Sequence, residues 1–400
     1  KLKSLISSSA VPHKDEFLLN LASVTVMFLE NYTLFNDILK VNNIKKIYWL
    51  EVEEREHSAP FWALKCAPLD VSEILMEKYS RLSSIILTSA TLSIKGGDFS
   101  FFSSRLGLDE RLGVNNTHII KGDIDYSRAF LALTSYLNYI PSPSTMERFK
   151  EEMSEELKRF LSFTDGRALV LFNSRERMEY SYNLCSPCLE KAGISVYCQK
   201  NGMSKKAIQT EFSLNKSSVL MGLKCFWEGI DVPGESLSFV IMEKLPFPFV
   251  FDPLYRARRE AFASNPSIGH EFEDYIFPLM AIRFKQGFGR LLRREDDRGA
   301  VLLLDRRIHK KSYKYELLAS LPGYTRDDEA ENDRKSLYLK IADFLPGLID
   351  LNSKHDFLDN LPDDILINIQ KKLNELELPR IMSQEEYNEN IHKIIGYFLF

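Results

Sequence analysis

The sequence is poor in cysteine, has no long apolar run and carries no excess of positive charge. Five cysteines scattered over 400 residues argue against a disulfide framework and for reduced thiols. No apolar stretch reaches the roughly 20 residues that a membrane-spanning helix needs. A formal net charge of -4 argues against a generally basic surface that would coat nucleic acid. The amino terminus, KLKS, has neither an initiator methionine nor a signal-peptide pattern, so we expect a cytoplasmic chain, without a membrane partner, cut from a longer protein.

Cys185 and Cys188 show the one spacing in the sequence that is typical of metal ligands, C-x-x-C. A second such pair is lacking, and both residues fall where we expect a helix. We therefore interpret them as structural residues and predict no metal site in this chain.

Strand-like apolar runs alternate with helical patterns along the chain, which predicts an α/β fold around a doubly wound, mainly parallel sheet. A composition that is 44% hydrophobic can fill a large core, and the length allows two or three domains. The expected strands are 47–52, 61–66, 85–92, 169–172, 194–198, 219–222, 239–242 and 300–304. The expected helices include 146–161, one ending near 192, 205–212 and 283–293. Helical additions are expected at the amino end (15–40) and the carboxyl end (337–345, 365–376 and 385–398).

Two charged segments are expected to face solvent. The acids of the helix 146–161 should form its solvated face; they are Glu151, Glu152, Glu155 and Glu156. Residues 327–334 are rich in charge and read as a linker with little to bury.

Residues 286–293 (QGFGRLLR) carry the strongest functional signal. Arg290 and Arg293 are three residues apart, and Gln286 lies one helical turn ahead, so we expect all three on one helix face. Two permanently charged guanidiniums aimed together suit a phosphate chain whose charge builds up in a transition state. Taken alone, the octet could also be an ordinary basic helix.

Three further segments place polar residues after buried strands. Residues 226–234 (FWEGIDVPG) put an acid, a glycine and a second acid in a loop between two strands, where open α/β sheets bind ligands. Residues 85–92 (IILTSATL) end in three hydroxyls, and 167–175 (RALVLFNSR) end in a polar loop.

In this order the segments resemble motifs III (TSATL), IV (LVLFNS), V (FWEGID) and VI (QGFGRLLR) of the DinG/XPD-type helicases of superfamily 2. Further matching segments are 244–248 (KLPFP), 299–307 (GAVLLLDRR) and 317–322 (LLASLP). The resemblance covers about residues 47–323 and points to DinG more than to XPD. It implies the carboxy-terminal half of a helicase with a RecA-like motor domain.

The resemblance also implies roles for the motif residues at a shared ATP site. Arg290 and Arg293 would be arginine fingers, and Gln286 would bind phosphate or the attacking water. Gly289 would allow a close approach of the backbone. Glu228, Gly229 and Asp231 would sense the nucleotide, with Asp231 on its ribose or on the arginine pair.

Other residues would bind the strand or couple it to the nucleotide. Thr88, Ser89 and Thr91 fit a coupling role, although they could simply end a strand. Asn173, Ser174 and Arg175 could hold phosphates of a single strand. Two basic clusters could contact DNA or be ordinary surface residues; they are Lys200 with Lys205 and Lys206, and the group Arg256, Arg258 and Arg259. The aromatic pair Phe226 and Trp227 could stack on bases, but we expect it to pack beneath the loop that follows.

The resemblance divides the chain into four parts. Residues 1–43 would be a remnant of a helical arch, 44–92 the end of motor domain 1, 93–325 motor domain 2 and 326–400 a helical extension. The sequence contains neither G-K-[S/T] nor D-E-x-H, the motifs that hold phosphates and Mg²⁺ in the first motor domain. We therefore expect this chain to need a missing amino-terminal motor domain and to be inactive alone. No iron–sulfur cluster is expected in it.

Three functions compete. The first is an ATP- and Mg²⁺-dependent DNA helicase acting on single-stranded DNA or DNA/RNA hybrids, for which the resemblance implies 5′ to 3′ movement and a role in DNA repair. The second is a motor-like regulatory half of a relative fused to an exonuclease. The third is a catalytically empty nucleic-acid-binding or interaction module.

Overall fold

The computed structural model describes residues 45–55, 58–94, 96–108, 116–199, 204–227, 236–264 and 269–351, with scattered residues between 24 and 43 and between 354 and 358. Contacts divide the chain into two compact units. The first comprises 1–120 and 247–282, and the second comprises 121–246 and 283–400. The four-part division given above stays a prediction.

The described residues form the following elements in chain order. The strands are β1 (Lys46–Arg55), β2 (Ser58–Pro68), β3 (Ala129–Leu133), β4 (Ala168–Leu171), β5 (Ser195–Cys198), β6 (Ser218–Gly222), β7 (Phe239–Met242) and β8 (Gly299–Leu303). The helices are α1 (Ser72–Tyr79), α2 (Ser100–Leu106), α3 (Met146–Phe163), α4 (Arg175–Lys191), α5 (Lys205–Leu214), α6 (Lys224–Trp227), α7 (Pro253–Ser264), α8 (Phe277–Phe288), α9 (Lys314–Ala319) and α10 (Arg334–Phe344). A π-helical turn, Phe272–Ile276, leads into α8.

The two strands predicted at 47–52 and 61–66 are confirmed as β1 and β2, which form an antiparallel hairpin in the first unit. Leu50 lies opposite Leu64, and Val52 lies opposite Trp62. These four side chains share one face of the hairpin and are between 45% and 60% exposed. This apolar face is therefore open to solvent.

The strand predicted at 85–92 does not form, which corrects the sequence-based expectation. Residues 84–89 have no regular structure, and no described residue pairs with them in a sheet. Ile86 is 89% exposed. Strands need neighbours to satisfy their backbone groups and cover their side chains, and this apolar run has none among the described residues.

The second unit is built on a six-stranded sheet with the order β3-β8-β7-β4-β6-β5. Every neighbouring pair is parallel. The strands predicted at 169–172, 194–198, 219–222, 239–242 and 300–304 are confirmed to within a residue at each end. β3 was missed, because its run AFLAL consists of residues that favour helices as much as strands.

Helices cover both faces of this sheet. Alternate strand residues such as Val170, Met221 and Ile241 pack with residues of α3, α4 and α10 in one core cluster. On the opposite face, Met242 lies against Gly287 of α8. Burial on both faces explains why the strands read as continuous apolar runs. The fold is the predicted doubly wound α/β type.

Glu156 is not on a solvated face of α3 but is fully buried, which corrects a second expectation. Its carboxylate accepts hydrogen bonds from the hydroxyls of Tyr136 and Tyr338, at 2.7 and 2.8 Å, and from Nε of Arg334 at 2.7 Å. Arg334 and Tyr338 belong to α10. This network joins α10 to α3 through groups that burial would otherwise leave unsatisfied.

Residues 327–334 are not a loose linker either. Glu331 is 1% exposed, and its carboxylate binds the guanidinium of Arg326 at 2.6 and 2.7 Å and the backbone N–H of Leu133 at 3.1 Å. The segment is thereby tied to the end of β3.

The terminal additions are described only in part. Residues 24–27 and several others up to 38 are helical, in agreement with the predicted amino-terminal helix. The helix predicted at 337–345 corresponds to α10, whereas those at 365–376 and 385–398 lie outside the described residues. Among the described helices, none combines the length and apolar character of a membrane-spanning segment.

Candidate functional site

The arginines of residues 286–293 do not lie on one helix face, contrary to the prediction. α8 ends at Phe288, and the N–H of Arg290 bonds to the carbonyl of Gly287 in a turn at 3.1 Å. The N–H groups of Arg293 and Arg294 donate to the carboxylate of Asp297 at 2.7 and 2.8 Å. Gly289 weakens the helix at this point, and Asp297 holds the following residues outside it.

Arg290 connects two of the predicted motifs. Its Nε donates to the backbone carbonyl of Trp227 at 2.8 Å. Trp227 is the last residue of α6, and Glu228 follows it directly in the sequence. Glu228, Gly229 and Asp231 lie outside the described residues, yet the structure brings Arg290 to the residue before them.

Gly287 was not singled out from the sequence, but it packs closely against the side chains of Met242 and Trp227. A Cβ atom added to Gly287 would lie 2.7 Å from Cε of Met242 and 2.9 Å from Cζ3 of Trp227. Any side chain at position 287 would therefore force Met242 or the ring of Trp227 to move. At Gly289 an added Cβ would meet only carbonyl oxygens of its own helix, at 3.3 and 3.7 Å. The close approach visible in the described structure belongs to Gly287.

Arg293 lies near Tyr126, the residue that stacks on Phe288 with ring centroids 6.3 Å apart. Burial raises the pKa of Tyr126, and the positive charge of Arg293 opposes that shift. Arg290 and Arg293 are both half-buried, as is Gln286 at the end of α8. The three side chains occupy one end of α8 and the turn that follows it.

Asn173, Ser174 and Arg175 follow β4 at the carboxyl edge of the sheet, as predicted. The backbone N–H of Asn173 donates to Oε1 of Glu243 at 2.8 Å, and its side-chain amide donates to the carbonyl of Leu245 at 3.4 Å. Ser174 caps α4, with its Oγ accepting from the N–H of Arg177 at 3.4 Å. Arg175 is exposed and lies 3.8 Å from Glu179.

A buried ion pair fixes the edge on which these residues sit. Glu243 is fully buried and accepts from Nε and Nη2 of Arg177 at 2.7 and 2.8 Å. On the next strand, Asp305 binds Arg307 in the same two-pronged way and also accepts the N–H of Leu245 at 3.0 Å. Two carboxylates that follow neighbouring strands thus hold the loops after β4, β7 and β8.

Thr88, Ser89 and Thr91 are in the first unit and form a short turn. The Oγ of Ser89 lies 3.3 Å from Oγ1 of Thr91 and accepts the N–H of Thr91 at 3.3 Å. Thr88 and Ser89 are exposed. The hydroxyls of Ser89 and Thr91 thus contact each other, and the three residues do not end a strand.

Several of the other basic and aromatic candidates are engaged in packing. Phe226 and Trp227 are buried, which confirms the packing interpretation. Lys205 donates to the carbonyl of Cys225 at 2.6 Å. Arg258 donates to the carbonyl of Leu69 at 2.8 Å, and Arg259 pairs with Glu271. Arg256 and Lys206 are exposed, and Lys200 lies outside the described residues.

Cys185 and Cys188 lie on α4, where the helix was expected. Cys185 is buried, and burial raises the pKa of its thiol to about 12. Cys188 is exposed. Within the described ranges, no group of three or more His, Cys, Asp or Glu is arranged to hold a metal.

Residues 157–324 match the helicase C-terminal domain family. The chain is 31% identical over 291 residues to the ATP-dependent helicase DinG of Mycobacterium tuberculosis, covering 73% of this chain and 42% of that protein. It is 32% identical over 302 residues to the ATP-dependent DNA helicase YoaA of Escherichia coli, covering 74% and 44%. The "3'-5' exonuclease DinG" of Bacillus subtilis is 28% identical over 277 residues, covering 68% and 29%.

Among solved structures, Xpd4 of S. tokodaii is similar with a TM-score of 0.44 and 20% identity, covering 68% of this chain and 51% of that one. The chain spans less than half the length of the curated helicases that it matches. The parallel sheet with helices on both faces fits the predicted RecA-like fold. The family match, the DinG and YoaA relatives and the motifs agree. The chain therefore belongs to the DinG/XPD-type helicases of superfamily 2 and corresponds to their carboxy-terminal half.

Proposed function

We propose that this chain supplies the second lobe of the ATP site of an intact DinG-like DNA helicase. A first motor domain would bind ATP together with Mg²⁺. Arg290 and Arg293 would contact the γ-phosphate of that ATP, and Gln286 would bind the phosphate or the attacking water. The observation that carries this proposal is the hydrogen bond from Arg290 to the carbonyl of Trp227. It joins the predicted finger to the residue directly before Glu228, so a change at Glu228–Asp231 would be transmitted to Arg290.

The nucleic-acid partner would be single-stranded DNA or a DNA/RNA hybrid. Asn173, Ser174 and Arg175 would bind its phosphates, since they stand at the carboxyl edge of the sheet, where parallel α/β sheets bind ligands. Thr88, Ser89 and Thr91 would couple strand binding to hydrolysis. Glu228, Gly229 and Asp231 would sense the nucleotide, and Gly289 would leave room for it.

A second candidate function is regulation of an attached exonuclease. The relative in Bacillus subtilis named a 3'-5' exonuclease supports it, because this chain matches only 29% of that protein. In that case the arginines would bind nucleotide without driving unwinding. A nucleic-acid-binding module without catalysis is the third candidate, and no specific observation favours it.

The finger assignment is tested by Arg290→Ala in the intact protein. We expect nearly normal ATP binding and a loss of ATP hydrolysis of about 10³-fold or more, because an arginine finger stabilises charge that develops only in the transition state. Arg294→Ala is the matched control, because Arg294 is exposed and the substitution removes a charge next to Arg293. The backbone N–H groups of residues 293 and 294 can still donate to Asp297 in this variant. Arg290→Lys separates charge from geometry, because lysine cannot reproduce the planar fork.

Unchanged turnover in Arg290→Ala would remove the finger role. The regulatory function would be favoured if the intact protein digests DNA and Arg290→Ala abolishes ATP turnover while DNA-stimulated nucleotide binding is kept. The 400-residue chain alone is expected to show no ATP hydrolysis, and measurable turnover would contradict its dependence on another motor domain.

A further inference from the structure

Lys244 has no carboxylate of its own to pair with among the residues that the structure describes. It follows β7 directly after Glu243, and its neighbouring charges are Arg177, Glu243, Asp305 and Arg307. Glu243 is bound by Arg177, and Asp305 is bound by Arg307, so both carboxylates are already neutralised. Lys244 itself makes no hydrogen bond or ion pair with any residue that the structure describes. The group as a whole is therefore left with one surplus positive charge.

The surroundings of Lys244 disfavour that charge. Burial lowers the pKa of its ammonium group, and the nearby guanidinium of Arg177 lowers it further. A half-buried cation without a counter-charge is destabilising, and proteins tend to retain such groups where function requires them. A bound anion would relieve both effects at once.

The strand register places Asn173 beside Lys244, and Ser174 follows Asn173 in the sequence. β4 and β7 are neighbouring parallel strands, with Leu171 paired to Met242. Continued for two residues, the same register places Asn173 beside Lys244. Consistent with this, Asn173 bonds to Glu243 and to Leu245, the two residues that flank Lys244.

Both of these side chains have donors left. The amide of Asn173 uses one of its N–H groups for the carbonyl of Leu245, which leaves a second N–H. The Oγ of Ser174 accepts a hydrogen bond from the N–H of Arg177, so its own O–H can still donate. Lys244, Asn173 and Ser174 are each partly open to solvent.

We infer that Lys244, Asn173 and Ser174 form a phosphate-binding site at the carboxyl edge of the sheet, between β4 and β7. An ammonium, an amide N–H and a hydroxyl suit a phosphate, which takes several such donors at once. This inference rests on the proposed function for Asn173 and Ser174 and adds Lys244 as its charged centre. The phosphate belongs either to a nucleic-acid backbone or to a nucleotide.

The test compares Lys244→Gln, Lys244→Arg and Lys191→Gln in the 400-residue chain. Lys191 is exposed at the far end of α4, about 25 Å along the helix from Ser174, and serves as the matched control. Binding of fluorescein-labelled oligothymidylate is followed by anisotropy over a range of salt concentrations. Amine-reactive labelling of Lys244, measured by mass spectrometry relative to Lys191, is repeated with inorganic phosphate, ADP and oligothymidylate.

We expect Lys244→Gln to weaken oligothymidylate binding about tenfold, the loss typical of one charge-assisted hydrogen bond. The slope of log affinity against log salt should fall by about 0.7, the value for one phosphate contact on a single strand. Lys244→Arg should retain most of the affinity, and Lys191→Gln all of it. Inorganic phosphate should protect Lys244 from labelling. Stronger protection by oligothymidylate or by ADP identifies the source of the phosphate.

Two results separate the inference from the function on which it rests. If the wild-type chain binds oligothymidylate, Lys244→Gln binds equally well and no ligand protects Lys244, the inference is wrong and strand binding stands. If oligothymidylate does not bind but phosphate or ADP protects Lys244, the phosphate site stands and strand binding by this chain is wrong. Failure of both binding and protection overturns both.

Discussion

The two units use similar apolar sequences with opposite results. In the second unit, short runs such as ALVL in β4 are fully buried in a parallel sheet that is covered on both faces. In the first unit, the run IILT at 85–88 forms no strand, and the hairpin of β1 and β2 exposes its apolar face. The difference is one of neighbours rather than of local preference, since a strand is stable only when adjacent strands and a covering layer are present.

The largest difference between the units is expected for their ion pairs. Glu156→Ala should lower the free energy of unfolding by about 3–5 kcal/mol, because it leaves the guanidinium of Arg334 buried without its carboxylate. Glu73→Ala, which removes the exposed partner of Lys45 in the first unit, should change it by less than about 1 kcal/mol. Urea unfolding followed by circular dichroism measures both. Similar losses for the two variants would contradict the contrast.

A smaller difference between the units in the free energy of unfolding is expected when apolar side chains are truncated. Leu169→Ala in β4 should cost about 2–5 kcal/mol, since Leu169 is fully buried in the middle of the sheet. Leu50→Ala in β1 should cost about 0.5 kcal/mol or less, because that side chain is 52% exposed. Thermal melts of the two variants and the wild type provide the comparison, and a large loss for Leu50→Ala would mean that the hairpin face is covered.

The smallest change in stability is expected for a substitution in residues 85–92, where the predicted strand does not form. Ile86→Lys should change the free energy of unfolding of this chain by no more than about 0.5 kcal/mol, because Ile86 is 89% exposed. Hydrogen exchange should show little protection for the amides of 85–88 and strong protection for those of 169–171. In an intact protein that supplies the neighbouring strands, the same substitution should be clearly destabilising. Strong protection of 85–88 in this chain would disprove the assignment.

Much of the second unit could be predicted from the sequence, for a physical reason. Strands buried on both faces must be apolar throughout, so runs such as VLMG in β6 are visible without knowledge of their partners. The start of α5 at Lys205 was also predicted, and Ser204 caps this helix with its side chain. β3 was not, because alanine and leucine suit a helix equally well.

What the sequence could not show depends on distant contacts. Glu156 has the spacing of a surface acid, and only Arg334, 178 residues later, makes its burial tolerable. The end of α8 likewise depends on the carboxylate of Asp297, beyond the motif itself. At the candidate site, the motifs singled out Arg290 and Asn173, and the roles given to these residues stay predictions. Lys244 lies in the matching segment 244–248 but was given no role there, because the pairing of Glu243 with Arg177 and of Asp305 with Arg307 is visible only in the structure.

The network around Glu156 matters for anyone who divides the gene into fragments. The region shared with the helicase C-terminal family starts at residue 157 and stops at 324. A fragment cut at those points would discard Glu156 at one end and Arg326, Glu331 and Arg334 at the other. Both sets of buried ion pairs, Glu156 with Arg334 and Arg326 with Glu331, would be lost together with α10. Expression boundaries placed before Ala129 and after Phe344 keep both sets together with β3, and they leave Tyr136 and Tyr338 with their acceptor Glu156.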